Sequence, residues 1–154
     1  MRLQGILVAA VLLCGPVLAQ EVVFHPDPVL DCLDDATTPS MRHACIGTAA
    51  NLCMIDTQGG SSTPVMGACL NSELDWWDAR LNTVYGKLMT QYADQPVLAE
   101  RLRAMQRNWI PYRDARCDFE FAQWDGGTGQ GPALAACLMT ATAEQTLVLE
   151  EHIR

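Results

Sequence analysis

Three groups of residues in this chain have types and spacings that could do chemistry. The stretch FEFAQWDGGTGQGPALAAC, from Phe119 to Cys137, places four glycines between Gly126 and Gly131. The carboxylates Glu73, Asp75 and Asp78 fall within six residues of one another, and seven cysteines are spread along the chain. A glycine-rich loop can cradle phosphate, but that use needs a lysine and then a serine or threonine after the last glycine, and here Gly131 is followed by Pro132. A dinucleotide fingerprint must follow a strand, whereas the segment before these glycines has helical periodicity. A calcium loop needs alternating oxygen ligands closed by a glutamate at position twelve, and no such series follows Asp125. Paired carboxylates act as acid and base only in unlike environments inside a cleft. Glu73 and Asp75 are two apart and point away from each other on a helix, so the trio reads as a solvated acidic face. No serine stands in a nucleophile setting such as G-x-S-x-G. The chemistry therefore points away from an enzyme: no catalytic residue, cofactor or metal site is expected.

The cysteines carry a different message. The N-terminal MRLQGILVAAVLLCGPVLAQ has Arg2, an apolar run too short to span a bilayer, and Val17 and Ala19 at the −3 and −1 positions of a cut before Gln20. This is the pattern of a secretory signal peptide over residues 1–19. A lipidation site at Cys14 is disfavoured by the bulky Leu13 before it. Removal of the leader also removes Cys14 and leaves Cys32, Cys45, Cys53, Cys69, Cys117 and Cys137, an even number suited to three disulfides in an exported chain. Zinc is the competing use, but there is no C-x-x-C pair and His25, His43 and His152 are scattered. Cys117 and Cys137 bracket the glycine stretch, so a bond between them would clamp its base. Symmetry about the intervening turns suggests Cys32–Cys45 and Cys53–Cys69. No later segment is expected to span a membrane, which makes the product periplasmic or secreted. The formal net charge is −8, and loss of Arg2 brings it to −9. That balance disfavours nucleic acid, which needs a basic face, and favours solubility or a basic partner.

The elements that must position these residues are helical. Leu70, Leu74, Trp77, Leu81, Tyr85, Leu88 and Tyr92 repeat at spacings of three and four, which predicts an amphipathic helix from about Pro64 to Tyr92. Leu98, Leu102, Met105, Trp109, Tyr112 and Phe119 continue the pattern in a second long helix, where Pro111 predicts a kink. Pro132 opens a last helix carrying Leu134, Leu138, Ala141, Val148 and Leu149. Before these, Pro26 and Pro28 hold off helix until about Val29, and Thr38 and Pro39 start a helix running to about Met54. No segment alternates as a strand would. The expected fold is all-α: a disulfide-stapled helical bundle with two long antiparallel helices at its core, a C-terminal helix beside them and an N-terminal helical hairpin. Residues 20–154 form a single domain, with residues 28–68 as its cysteine-rich hairpin.

Taken in order and spacing, ELDWWDARLNTVYGKL, QRNWIPYRDARC, the Gly126–Gly127 pair and Cys137 followed by Thr142 resemble the LprI-type lysozyme-inhibitor domain of exported bacterial proteins, over roughly residues 69–149. The resemblance carries over Asn82, Tyr85, Leu88, Gln106, Trp109, Arg113, Cys117, Gly127 and Cys137 as signature residues. Two positions depart from it: Gln145 stands where the family usually has arginine, and Pro111 lies beside the tryptophan. Trp109, on the apolar stripe, is expected as a core anchor, and Asn82 with Tyr85 as a buried hydrogen-bonding pair. Arg113 is either a solvated partner of Asp114 or a buried fork on a carbonyl or carboxylate, structural in both cases. The resemblance implies an exported binding protein that inhibits lysozyme, or another basic protein, by placing a loop in its groove. The candidate contacts are Trp124, Asp125, Gly127 and Gln130, with the loop from Thr57 to Ser62 as a second candidate. The alternative is an envelope protein with a structural role and no lysozyme target.

Overall fold

In a computed structural model, residues 21–154 are described; the leader, with its cut before Gln20 and Cys14, lies outside them. Six helices follow one another: α1 (Asp27–Asp35), α2 (Pro39–Ala44), α3 (Thr48–Asp56), α4 (Thr63–Gln91), α5 (Pro96–Ala122) and α6 (Gln130–Glu150). No strand occurs among the described residues. Three disulfides join Cys32 to Cys45, Cys53 to Cys69 and Cys117 to Cys137; turn symmetry suggested the first two, and the bracketing of the glycine stretch the third.

Prolines set most of the helix starts. Pro28, Pro39, Pro64 and Pro96 each lie in a first turn, where the missing N–H is not needed and the fixed φ suits the helix. This is why α1 begins at Asp27, two residues before the expected start: Pro28 enters the first turn instead of blocking it. Thr38 caps α2 as its type predicts, its side chain accepting the Met41 N–H at 3.2 Å. The single helix expected from Ser40 to Met54 is instead two, broken at Gly47. That residue has φ of 90°, a left-handed conformation that costs glycine little and other residues roughly 1–2 kcal/mol.

α6, not α5, is the main partner of α4. Gln130–Glu150 buries Ala135, Met139, Ala141, Thr142, Ala143, Thr146 and Leu149, so it is apolar around most of its circumference, as a central helix must be. Its small side chains let neighbouring helices approach closely. Thr146 faces Trp77 and Glu150 faces Arg80, so α4 and α6 run parallel. α5 packs antiparallel on α6, with Gln106 opposite Gln145 and Cys117 bonded to Cys137. α4 and α5 touch each other little. α6 is also the one helix among the described residues long and apolar enough to cross a membrane by length and composition, but 56% of that window is buried within the bundle, as in a core helix.

Three apolar clusters hold the molecule together. Val29, Leu33, Cys45, Ala49 and Ala50 pack on Trp77, Met139 and Ala143, seating the N-terminal helices on α4 and α6. Leu81, Val84, Leu88, Leu102 and Leu149 close the other end. Cys53, Val65 and Cys69 form a third group under Val22 and Phe24. The extended strip before α1 is tied down by the Val23 N–H, which donates to Thr57 Oγ1 at 2.9 Å.

Candidate functional site

The glycine stretch is an ordered turn. At the end of α5, the N–H groups of Gln123, Trp124 and Asp125 donate three residues back to Glu120, Phe121 and Ala122, tightening the last turn. Asp125 and Gly126 then take φ of 46° and 79°, and the chain reverses. The Gly127 N–H donates to the Trp124 carbonyl at 2.8 Å, and the Gln130 N–H to the Gly127 carbonyl at 3.0 Å. The Gln130 side-chain amide reaches back to the Phe121 carbonyl at 3.2 Å, a second donor to that acceptor at the end of α5 beside the Trp124 N–H. Gly129 has a steric reason to be glycine: a Cβ there would lie 2.3 Å from Cζ3 of Trp124. The indole therefore rests against the backbone of Gly129, with 49% of its surface exposed. The buried Cys117–Cys137 disulfide, with Cα atoms 5.6 Å apart, closes the base of the loop.

Of the four candidate contacts, Trp124, Asp125 and Gly127 are exposed, and Gln130 is half-buried with its side chain turned inward. The Thr57–Ser62 loop is more constrained, because Thr57 is buried and holds Val23. Since α4 and α6 run parallel and each loop precedes one of them, both loops lie at the same end of the bundle.

The carboxylates behave differently from the expected acidic face. Asp75 and Asp78 are exposed, but Glu73 is fully buried. One of its oxygens accepts the Gly47 N–H at 2.7 Å and the Trp77 indole N–H at 3.0 Å; the other accepts the Ala50 N–H at 2.7 Å. Gly47 is the N-cap residue of α3 and has no side chain to cap it. Glu73 supplies that cap from α4, a carboxylate at the positive end of a helix. Sequence reasoning missed this because the partner amides are more than twenty residues away; the one local signal was Trp77 four residues on, placing an indole N–H over the carboxylate. Glu150, also unexpected, is 14% exposed and receives Arg42 from α2 and Arg80 from α4, the latter at 2.6 Å. Arg80 lies over the Trp76 ring at 5.4 Å, so one carboxylate ties three helices together.

The signature residues sit nearer the surface than expected. Trp109 is half-buried, and the core anchor is Trp77, which has no exposed surface. Asn82 is exposed and donates to Asp78 at 2.9 Å, while Tyr85 is half-buried; together they line a groove and form no buried pair. Arg113 forks onto one oxygen of Asp114 at 2.9 and 2.7 Å and lies 5.0 Å from the Trp109 ring centre. Gln106 accepts from Gln145 at 2.6 Å, so the position where the family usually has arginine still links α5 to α6. Leu98, Met105, Tyr112 and Phe119, expected on the buried stripe of α5, are exposed; Ala99, Leu102 and Cys117 are its buried residues.

These features define a disulfide-stapled helical scaffold that displays an ordered loop. The chain belongs to the lysozyme inhibitor LprI family, whose model matches residues 53–149. The match begins at Cys53, earlier than the resemblance read from the sequence, and so takes in the Cys53–Cys69 disulfide as well as Cys117–Cys137. The family is a class of non-enzymatic inhibitors, and membership together with three disulfides suggests an exported protein. The chain is 29% identical over 135 residues to an "Uncharacterized 17.7 kDa protein in puhA 5'region" of Rhodobacter capsulatus, covering 78% of this chain and 81% of that one. No solved structure matches it.

Proposed function

We propose that the exported chain, freed of residues 1–19, inhibits a basic muramidase of the lysozyme type by laying its glycine loop across the substrate groove. The observation that carries this reading is Trp124: a large aromatic side chain, half exposed, held on the backbone of Gly129 in a loop clamped by Cys117–Cys137. Aromatic residues dominate binding energy when they enter a pocket, and a loop already ordered loses little entropy on docking. Asp125 and the Gly127 backbone flank the indole and would contact the walls of the groove, with Gln130 bracing the loop from within. The Thr57–Ser62 loop at the same end is a secondary contact. The acidic balance of the chain favours encounter with a cationic enzyme. No catalytic step, cofactor or membrane span belongs to this reading.

The experiment is a titration of the oxidised, leader-free protein into muramidase assays with several lysozyme types. Stoichiometric inhibition is expected for at least one of them. Full activity of every enzyme at micromolar excess would leave the alternative, an envelope protein that binds other components of the cell surface through the same scaffold.

A further inference from the structure

About 30 Å along α4 from the loop end, by helix rise, α4 and α5 part to leave an open groove of about 330 Å³. Asn82, Tyr85, Arg103, Gln106, Arg107 and Ile110 line it. Their hydrogen bonds leave complementary groups on offer. Gln106 uses its carbonyl to accept from Gln145, which leaves its amide N–H groups to donate. Asn82 uses its N–H on Asp78, which leaves its carbonyl to accept. Tyr85 and Ile110 supply an aromatic and an aliphatic wall. The two guanidiniums are one turn apart on a helix that holds five arginines against four acids, Glu100, Asp114, Asp118 and Glu120. Both already hold a carboxylate: Glu100 accepts from Arg107 at 2.9 Å and from Arg103 at 3.5 Å. The hydrogen bond and charge of Arg107 foremost, with Arg103 after them, keep the Glu100 carboxyl below its ordinary range.

We infer that this groove binds an anionic monosaccharide, a sugar ring bearing a carboxylate or phosphate. The oxyanion would take the guanidinium pair, whose planar donors suit either group. Hydroxyl or amide substituents would meet the Gln106 N–H and the Asn82 carbonyl. The ring would lie between Tyr85 and Ile110, in a volume at the lower end of the range for small-ligand sites. Glu100 is then an internal competitor that an incoming oxyanion displaces.

The test is an NMR titration of the oxidised protein with three probes: N-acetylmuramic acid for the carboxylate, glucose 6-phosphate for the phosphate and N-acetylglucosamine as the neutral control. At least one anionic sugar should shift resonances around Tyr85 and Gln106, about tenfold more tightly than the neutral one; which of the two does so identifies the oxyanion. R103Q/R107Q should weaken that binding about tenfold and E100Q should tighten it several-fold. All three positions are solvent-exposed, so the variants should fold, as circular dichroism would verify. Lysozyme inhibition should be unchanged in both, since the loop is remote, which separates this site from the loop reading. Equal affinity for the neutral sugar, no response to E100Q, or no binding of either anionic sugar at millimolar concentration would overturn the inference.

Discussion

Glu73 stands where α3 lacks a cap of its own, and it does so with no exposed surface. Each buried N–H that loses its acceptor costs roughly 1–3 kcal/mol, and three donors converge on this one carboxylate. Glu73→Ala should therefore lower stability by about 3–5 kcal/mol in urea unfolding. Glu73→Gln keeps one acceptor oxygen but turns an amide N–H toward a backbone N–H, and should cost about 1–3 kcal/mol. A loss below about 0.5 kcal/mol for both, the range of ordinary surface substitutions, would show that the carboxylate does not hold α3. Apart from Trp77 four residues on, nothing in the local sequence separates Glu73 from Asp75 and Asp78: all three are acids on one helix, and the approach of the Gly47 turn makes one of them structural. The exposed place of Trp124 in a turn was legible because its setting is local, with glycines on its C-terminal side and cysteines bracketing the loop.

At the level of helices, the periodicity of three and four along α4 located its buried face, where Trp77, Leu81 and Leu88 all lie. The same reasoning failed on α5. Leu98, Met105, Tyr112 and Phe119 are each seven apart, and a seven-residue repeat drifts about 20° per heptad around a straight helix. The drift carries the stripe away from α6, so Tyr112 and Phe119 end 65% and 68% exposed, while small Ala99 and disulfide-bonded Cys117 face inward. Size and hydrophobicity ranked those residues in the wrong order because contact with α6 favours small side chains. The break between α2 and α3 was hidden for a related reason: Gly47 can continue a helix or end one, and its choice depends on the carboxylate from α4. Pro111 offers a test at this scale. α5 continues through it, although proline in a helix interior forfeits a hydrogen bond and costs about 3 kcal/mol. Pro111→Ala, at an exposed position, should raise stability by about 1–3 kcal/mol in thermal or urea unfolding. A destabilised variant would mean that the packing of α5 on α6 depends on the proline.

The whole molecule is a covalently braced bundle in which each disulfide closes a segment between neighbouring helices, at separations of 13, 16 and 20 residues. Closing loops of this length stabilises by about 3 kcal/mol each in the chain-entropy account. Replacing Cys117 and Cys137 together by serine should cost about that much by urea unfolding, with retention of most helical ellipticity. Loss of all helical signal would instead make this disulfide a condition of folding. At this scale the net charge also acts: association with a cationic enzyme should slow as salt rises, because screening removes the steering field. The most direct measurement is inhibition of a susceptible lysozyme by the wild type, Trp124→Ala and Gly129→Ala, each verified as folded and oxidised, at low and physiological salt. Removing the indole, or displacing it with the Cβ added at Gly129, should weaken inhibition by about tenfold or more, with all inhibition stronger at low salt. Inhibition by both variants equal to that of the wild type would contradict the loop as the point of contact.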